Sequence, residues 1–122
     1  MHEMALMESV REIVDEAARA NGAVRVAVVR LQIGALASVE PQALRFAFDV
    51  VMKGGPAETA ELEIDSVPGA AWCWDCVATV ALGAGEVACP VCGGHRLEVT
   101  GGTEMRVHEI DLASDQEMAT CA

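Results

Sequence analysis

Apolar residues near the start of the chain recur at the spacing of an amphipathic helix. The apolar positions are Leu6, Val10, Ile13, Val14 and Ala17. Steps of three and four residues place such side chains on one helix face and the charged residues between them on the other. The sequence Asn-Gly-Ala at residues 21–23 predicts the end of this helix, because Gly22 readily adopts the left-handed backbone of a C-terminal cap.

A strand pattern follows at residues 24–34, VRVAVVRLQIG. Val24, Val26 and Val28 share one face, and the alternation then changes phase. The next apolar residues, on the opposite face, are Val29, Leu31 and Ile33. This change predicts either a bulge near Val28 or a strand that is apolar on both faces.

A second helix is predicted within residues 38–55, SVEPQALRFAFDVVMKGG. Pro41 suits the first turn of a helix, and Gly54 and Gly55 mark the end. The buried stripe is expected at Leu44, Ala47, Phe48 and Val51. Residues 60–67, AELEIDSV, then alternate as a strand that points Leu62 and Ile64 inward.

The composition changes in residues 69–102, which contain four paired cysteines and both tryptophans. Residues 103–112, TEMRVHEIDL, resume a strand pattern. The predicted fold is therefore α+β, a small domain of two helices and a three-stranded sheet with an inserted zinc-ribbon-like module. Residues 1–68 and 103–112 form the α+β domain, residues 69–102 the module, and residues 113–122 a loosely ordered tail.

Composition and charge limit the class of protein. Hydrophobic residues make up 52% of the 122 residues, which is ample for a small core, although aromatic residues contribute only 3%. No apolar run approaches the roughly 18 residues of a membrane span, and the acidic first twenty residues are unlike a targeting peptide. The net charge of −11 disfavours binding to nucleic acid and suits solubility, a basic partner or cations. We expect a soluble cytoplasmic protein.

Two CxxC pairs are the clearest chemical motif. CWDC contributes Cys73 and Cys76, and CPVC contributes Cys89 and Cys92, with twelve residues between the pairs. Four thiolates at this spacing surround one tetrahedral ion and leave no open position, which is typical of a structural zinc site. Rubredoxin-type iron uses similar turns, and a redox dithiol is a further alternative. The intervening residues 77–88 have the pattern of two short strands and a turn.

Other chemistry-bearing residues near the pairs have plainer interpretations. Trp72 and Trp74 flank Cys73 and are expected to pack within the module. His95 is either a surface histidine or an auxiliary ligand, and Cys121 is an unpaired cysteine near the C-terminus.

The first three residues contain the donor atoms of a metal chelate. The amine of Met1 and the amide nitrogen of His2 close a five-membered ring on a metal, and the amide and imidazole nitrogens of His2 close a six-membered ring. Such nitrogen-rich coordination suits Ni(II) or Cu(II). Glu3 adds an oxygen or backbone nitrogen, or favours the helix start. An ordinary frayed chain start is the alternative.

The start MHEMAL, the segment IGALASVEPQALRFAFDVV and the turns CWDC and CPVCGG before a final strand resemble the HypA/HybF family of hydrogenase nickel-insertion proteins. The likeness runs from residue 1 to about residue 112. It implies an accessory protein, not an enzyme, that delivers nickel to the [NiFe] hydrogenase large subunit together with the GTPase HypB. We expect a monomer or weak homodimer.

The same resemblance assigns residues. Met1 and His2 match the nickel-binding start, and Glu3 matches its acidic third position. Glu40 stands where some members have an aspartate linked to nickel, which makes it an auxiliary nickel candidate. The structural zinc ligands are expected to be Cys73, Cys76, Cys89 and Cys92.

Two other functions fit parts of the sequence. A zinc-ribbon adaptor would bind protein partners and carry no nickel. A rubredoxin-like electron carrier would hold iron in the four cysteines. Apart from these ligands, the sequence contains no nucleophile–base pairing or phosphate-binding glycine loop, so we do not expect an enzyme.

Overall fold

The structure, a computed structural model, describes residues 3–113, which contain two helices and six strands. The elements are α1 (Glu3–Ala20), β1 (Val26–Gly34), α2 (Pro41–Val51), β2 (Glu61–Val67), β3 (Ala70–Cys73), β4 (Ala78–Ala81), β5 (Leu97–Gly101) and β6 (Met105–Leu112). The predicted α+β class and the predicted order of elements are confirmed. No helix within residues 3–113 is long and apolar enough to cross a membrane.

Helix α1 ends as predicted but buries a different stripe. Gly22 has φ 65°, and the N–H of Ala23 donates to the carbonyl of Ala18 at 2.9 Å, which closes the last turn. The buried residues are Met7, Val10, Val14 and Ala18. The prediction of a buried Ile13 is wrong, because this side chain is 50% exposed. At about 100° of rotation per residue, it lies beside the buried line rather than on it.

Strand β1 shows the predicted change of phase. Val26 is buried, and the alternation resumes one position later with Val29, Leu31 and Ile33. Val24 lies before the strand and is 69% exposed. Strand β2 buries Leu62 and half-buries Ile64.

Helix α2 begins at Pro41 and is capped by Glu40, whose side chain accepts from the N–H of Gln42. Its buried residues are Leu44, Ala47 and Phe48, as predicted. Val51 is only half-buried, and Met52, just past the helix, takes the next buried position at 1% exposure.

The strands form two three-stranded sheets, in the orders β2-β1-β6 and β4-β3-β5. The contacts between residues divide the chain into two compact units. The described part of unit 1 comprises residues 3–31, 39–64 and 106–113, and unit 2 comprises Gln32–Ser38 and Asp65–Met105. That residues 69–102 form a separate metal-binding module stays a prediction.

The sheet of unit 2 corrects one expectation. Strand β3 lies in the centre and pairs antiparallel with β4 and β5, so that Trp72 stands opposite Thr79 on one side and Glu98 on the other. Only β4 falls between the two cysteine pairs, not two strands. Strand β3 ends at Cys73 of the first pair and β5 follows the second pair, while residues 83–88 form the turn that leads into the second pair.

Candidate metal centres

The four paired cysteines converge in unit 2. Their sulfur atoms all lie within 4.8 Å of one another, and the distances from Cys73 to Cys92 and from Cys76 to Cys89 are 3.7 and 3.8 Å. A tetrahedron with metal–sulfur bonds of about 2.3 Å has edges of about 3.8 Å. The cluster therefore already has the dimensions of a four-thiolate metal site.

Backbone amides hold the sulfur atoms in place. The N–H groups of Cys76, Val91 and Gly94 donate to the sulfur atoms of Cys73, Cys89 and Cys92 respectively, each at 3.4 Å. The second turn is also closed on itself, since the N–H of Cys89 donates to the carbonyl of Gly94 at 2.7 Å. Such donors stabilise thiolates, the form in which cysteine binds metal.

The residue after each pair has the same unusual backbone. Gly93 follows Cys92 with φ 75°, and Val77 follows Cys76 with φ 53°. Glycine adopts this left-handed region without strain, whereas a β-branched residue does not. Residue type does not reveal this conformation at Val77, although its position matches that of Gly93.

The surroundings shift the pKa values of Cys89 and Cys76 in opposite directions. Amide donors of Cys92 and Val91 lower the pKa of Cys89 to about 7. The pKa of Cys76 is raised to about 12, first by its hydrogen bond with Cys92 and then by burial. Metal binding needs the thiolate form, and the amide donors around Cys89 favour that form there.

The surroundings of the cluster are partly exposed. Cys73 and Cys89 are buried, whereas Cys92 is exposed. The rings of Trp72 and Trp74 meet edge to face with centroids 6.0 Å apart, in agreement with the expected packing within the module, although Trp74 is 55% exposed. His95 is exposed and stands outside the four-sulfur group.

The predicted nickel residues are only partly described. Met1, His2 and Cys121 lie outside the described residues. Glu3 is the first residue of α1, where a carboxylate is favoured by the helix dipole. Glu40 caps α2 through a 3.2 Å bond from the N–H of Gln42. Within residues 3–113, neither glutamate belongs to a group of three or more metal-ligating side chains.

A groove between α1 and α2 in unit 1 was not predicted. It has a volume of about 610 Å³ and is lined by Met4, Glu8, Arg11, Glu12, Asp15, Val50 and Val51. Arg11 is turned onto the end of α2, because its NH1 donates to the carbonyls of Val51 and Lys53 at 2.6 and 3.0 Å. Its Nε also donates to Asp15 at 3.3 Å. The groove thus combines an apolar floor with carboxylates that Arg11 only partly offsets.

Comparison with known proteins decides the family. Residues 1–112 match the family model described as "Hydrogenase/urease nickel incorporation, metallochaperone, hypA". The chain belongs to the HypA family. Among its relatives, the hydrogenase maturation factor HypA of Azoarcus sp. (strain BH72) is 54% identical over 112 residues, covering 92% of this chain and 98% of the relative. The corresponding factor of Rhizobium leguminosarum bv. viciae is 50% identical over 112 residues, covering 92% and 99%.

Solved structures of the HypA family share the fold. The solution structure of the nickel metallochaperone HypA from Helicobacter pylori aligns with a TM-score of 0.67 at 23% identity, covering 94% of this chain and all of that chain. A second solution structure of HypA aligns with a TM-score of 0.70, also at 23% identity, covering 93% and 97%. The family is described as one of nickel metallochaperones and hydrogenase maturation factors.

Proposed function

We propose that this protein is a nickel metallochaperone that delivers Ni(II) to the [NiFe] hydrogenase large subunit and carries a structural zinc ion in its four-cysteine site. The observation that carries the proposal is the HypA family match, which spans residues 1–112 and therefore includes the Met-His-Glu start. In this proposal nickel is cargo, and the protein itself catalyses no reaction.

The four-sulfur geometry supports zinc as the resident ion. Zinc prefers tetrahedral thiolate ligands and imposes no redox chemistry, so it suits a site whose role is to hold a fold. All four positions are filled by cysteine, which leaves none for a water or substrate. A rubredoxin-like iron site would have the same ligands but would colour the purified protein red.

The first three residues provide the cargo site in this proposal. The amine of Met1 with the amide and imidazole nitrogens of His2 would bind Ni(II) in a plane, and Glu3 or Glu40 would be an auxiliary ligand. Nitrogen ligands of this kind favour Ni(II) and Cu(II) over Zn(II). A chain-end site is easily dismantled by a partner, which suits a protein that must release its metal.

The groove of unit 1 supports docking of the HypB-type GTPase at α1. Its carboxylates, from Glu8, Glu12 and Asp15, line the same helix that begins directly after the proposed nickel residues. An apolar floor edged with negative charge is complementary to a partner segment with basic and apolar side chains. Val50 in the groove is 40% exposed, and Phe46 on α2, at 66%, offers further apolar area in unit 1.

A nickel titration tests the proposal. We expect untagged zinc-loaded protein to bind one Ni(II) with the pale yellow absorption of planar nitrogen coordination. One glycine added before Met1 keeps every side chain but moves the amine away, and should abolish this chelate, as should His2→Ala. Glu12→Gln, on α1 but outside the chelate, is the control and should bind nickel normally. Zinc content should be the same in all variants. Equal nickel affinity of the glycine-extended and untagged proteins would overturn the chelate.

A zinc-ribbon adaptor without nickel is the second candidate, and exposed apolar residues of unit 2 favour it. Trp74, Val87 and Val91 are 55%, 75% and 74% exposed, and apolar surface of this kind is available to a protein partner. The same titration separates the two candidates, because an adaptor binds no stoichiometric Ni(II).

A further inference from the structure

An ion pair joins the two cysteine turns of unit 2. Asp75 lies inside the first turn, and Arg96 follows the second turn by four residues. The Nε and NH2 groups of Arg96 both donate to Oδ1 of Asp75, at 3.0 and 2.7 Å. The N–H of Trp74 donates to the carbonyl of Arg96 at 3.0 Å, so the backbone brings the two segments together at the same point.

The second oxygen of Asp75 lies against Gly94. A Cβ atom built on Gly94 would fall 2.5 Å from Oδ2 of Asp75, too close for any real contact. The N–H of Gly94 donates to the sulfur of Cys92, and its carbonyl accepts from Cys89. Asp75 therefore contacts the residue whose backbone closes the second turn around the metal site.

Cys92 is the cysteine whose mobility this contact would limit. It is exposed, whereas Cys73 and Cys89 are buried in the core of unit 2. A metal leaves a four-thiolate site one ligand at a time, and the exposed ligand is the one with room to move. Holding Gly94 in place also holds the turn that carries Cys92.

We propose that Asp75 and Arg96 form a latch that slows release of the metal by keeping Cys92 in its coordinating position. Both are positioning residues, since they act on the ligand through Gly94 and bind no metal themselves. The inference rests on the metal site of the proposed function.

The expected effect is modest because water screens the pair. The side chains of Arg96 and Asp75 are 70% and 40% exposed. Exposed ion pairs contribute little to stability, and their loss changes a rate by roughly three- to fivefold. Both N–H donors of Arg96 meet the same carboxylate oxygen, so Oδ2 of Asp75 stays against Gly94.

The rate of zinc transfer to excess chelator tests the latch in the full zinc-loaded chain. We expect Asp75→Asn and Arg96→Gln each to release zinc roughly three- to fivefold faster, and the double variant to be no faster than either. Arg96→Lys, which keeps the charge, should restore part of the slow release. Glu98→Gln removes an equal charge from the exposed face of β5 and should match the parent. The Co(II) spectrum should be the same in every variant, because the four-sulfur geometry is unchanged.

A glycine variant provides a second, independent measurement. Gly94→Ala should displace Asp75 and speed release in the parent chain. It should add little in an Asp75→Ala background, where the 2.5 Å clash is gone and the 3.4 Å approach to the sulfur of Cys92 is an ordinary van der Waals contact. An altered Co(II) spectrum in Asp75→Asn would mean a structural role and overturn the latch. Parent-like release from Asp75→Asn, with one zinc bound, would overturn the latch and leave the metal site standing. Failure of the parent chain to bind zinc would overturn both.

Discussion

The cores of the two units are stabilised by different kinds of interaction. Unit 1 buries long apolar side chains from its helices and their ends, such as Met7, Leu44 and Met52, each at most 1% exposed. The buried cluster of unit 2 has five residues, and two of them, Cys73 and Cys89, are candidate metal ligands. The others are Ala71, Val80 and Leu82. So small a core cannot by itself offset the conformational entropy lost on folding, whereas a bound metal can.

This contrast distinguishes a structural metal ion, which stays bound, from a cargo ion, which can be delivered. A metal whose ligands form part of a core is held together with that core, since its binding free energy is also folding free energy. Cargo belongs at a site whose emptying leaves the fold intact. Within residues 3–113, the buried side chains of unit 1 belong to no cluster of metal-ligating groups, so we expect the proposed chelate of Met1 and His2 to fill and empty without unfolding unit 1.

The largest expected effect is that of removing one thiolate ligand, which should unfold unit 2 and leave unit 1 folded. We expect Cys89→Ser to lose zinc and unfold unit 2, because structural zinc sites contribute on the order of 10 kcal/mol to folding. Helical circular dichroism from α1 and α2 should remain, since neither helix belongs to unit 2. Zinc content and the far-ultraviolet spectrum measure the two effects. A full complement of zinc in Cys89→Ser would refute the four-thiolate assignment.

A substitution in the core of unit 1 should instead lower the stability of unit 1 and leave zinc binding unchanged. Leu44 is fully buried on α2, so Leu44→Ala should lower the free energy of unfolding by about 2–5 kcal/mol. Phe46→Ala, on the same helix but at a side chain 66% exposed, is the matched control and should cost far less. Urea unfolding followed by circular dichroism measures both. Loss of zinc from Leu44→Ala under native conditions would contradict the independence of the two units' cores.

Local signals predicted most of the fold. Pro41 and Gly22 marked a helix start and a helix end that the structure confirms, because proline and glycine act through their own backbone. The spacing of the two CxxC pairs likewise anticipated the four-sulfur cluster. Each of these features depends on residues close together in the chain, which is why periodicity and spacing reveal it.

Features that depend on distant residues were missed. The exposure of Ile13 is decided by which flank of α1 the rest of unit 1 covers, and periodicity does not contain that information. The groove along α1 arises where Arg11 meets carbonyls some 40 residues away in sequence. The pair of Asp75 and Arg96, 21 residues apart, depends on how two turns pack together.

The smallest expected effect measures how far the stability of unit 2 depends on backbone conformation rather than on metal binding. Val77 and Gly93 occupy matching left-handed positions, and both are exposed. A Cβ on Gly93 would meet no atom within 4 Å, so the cost of a side chain there comes from the backbone alone. Gly93→Val should therefore cost roughly 1–2 kcal/mol, the penalty of a left-handed backbone for an L-residue.

Val77→Gly should change the stability of unit 2 in the opposite direction from Gly93→Val. It removes the strain of a β-branched residue at φ 53°, which more than balances the extra freedom that glycine gives the unfolded chain. Because folding of unit 2 and metal binding are coupled, competition with a chelator measures both variants as changes in zinc affinity. We expect Gly93→Val to bind zinc roughly tenfold more weakly, and Val77→Gly at least as tightly as the parent. Weaker zinc binding by Val77→Gly would show that the valine side chain, and not the turn, stabilises the first cysteine pair.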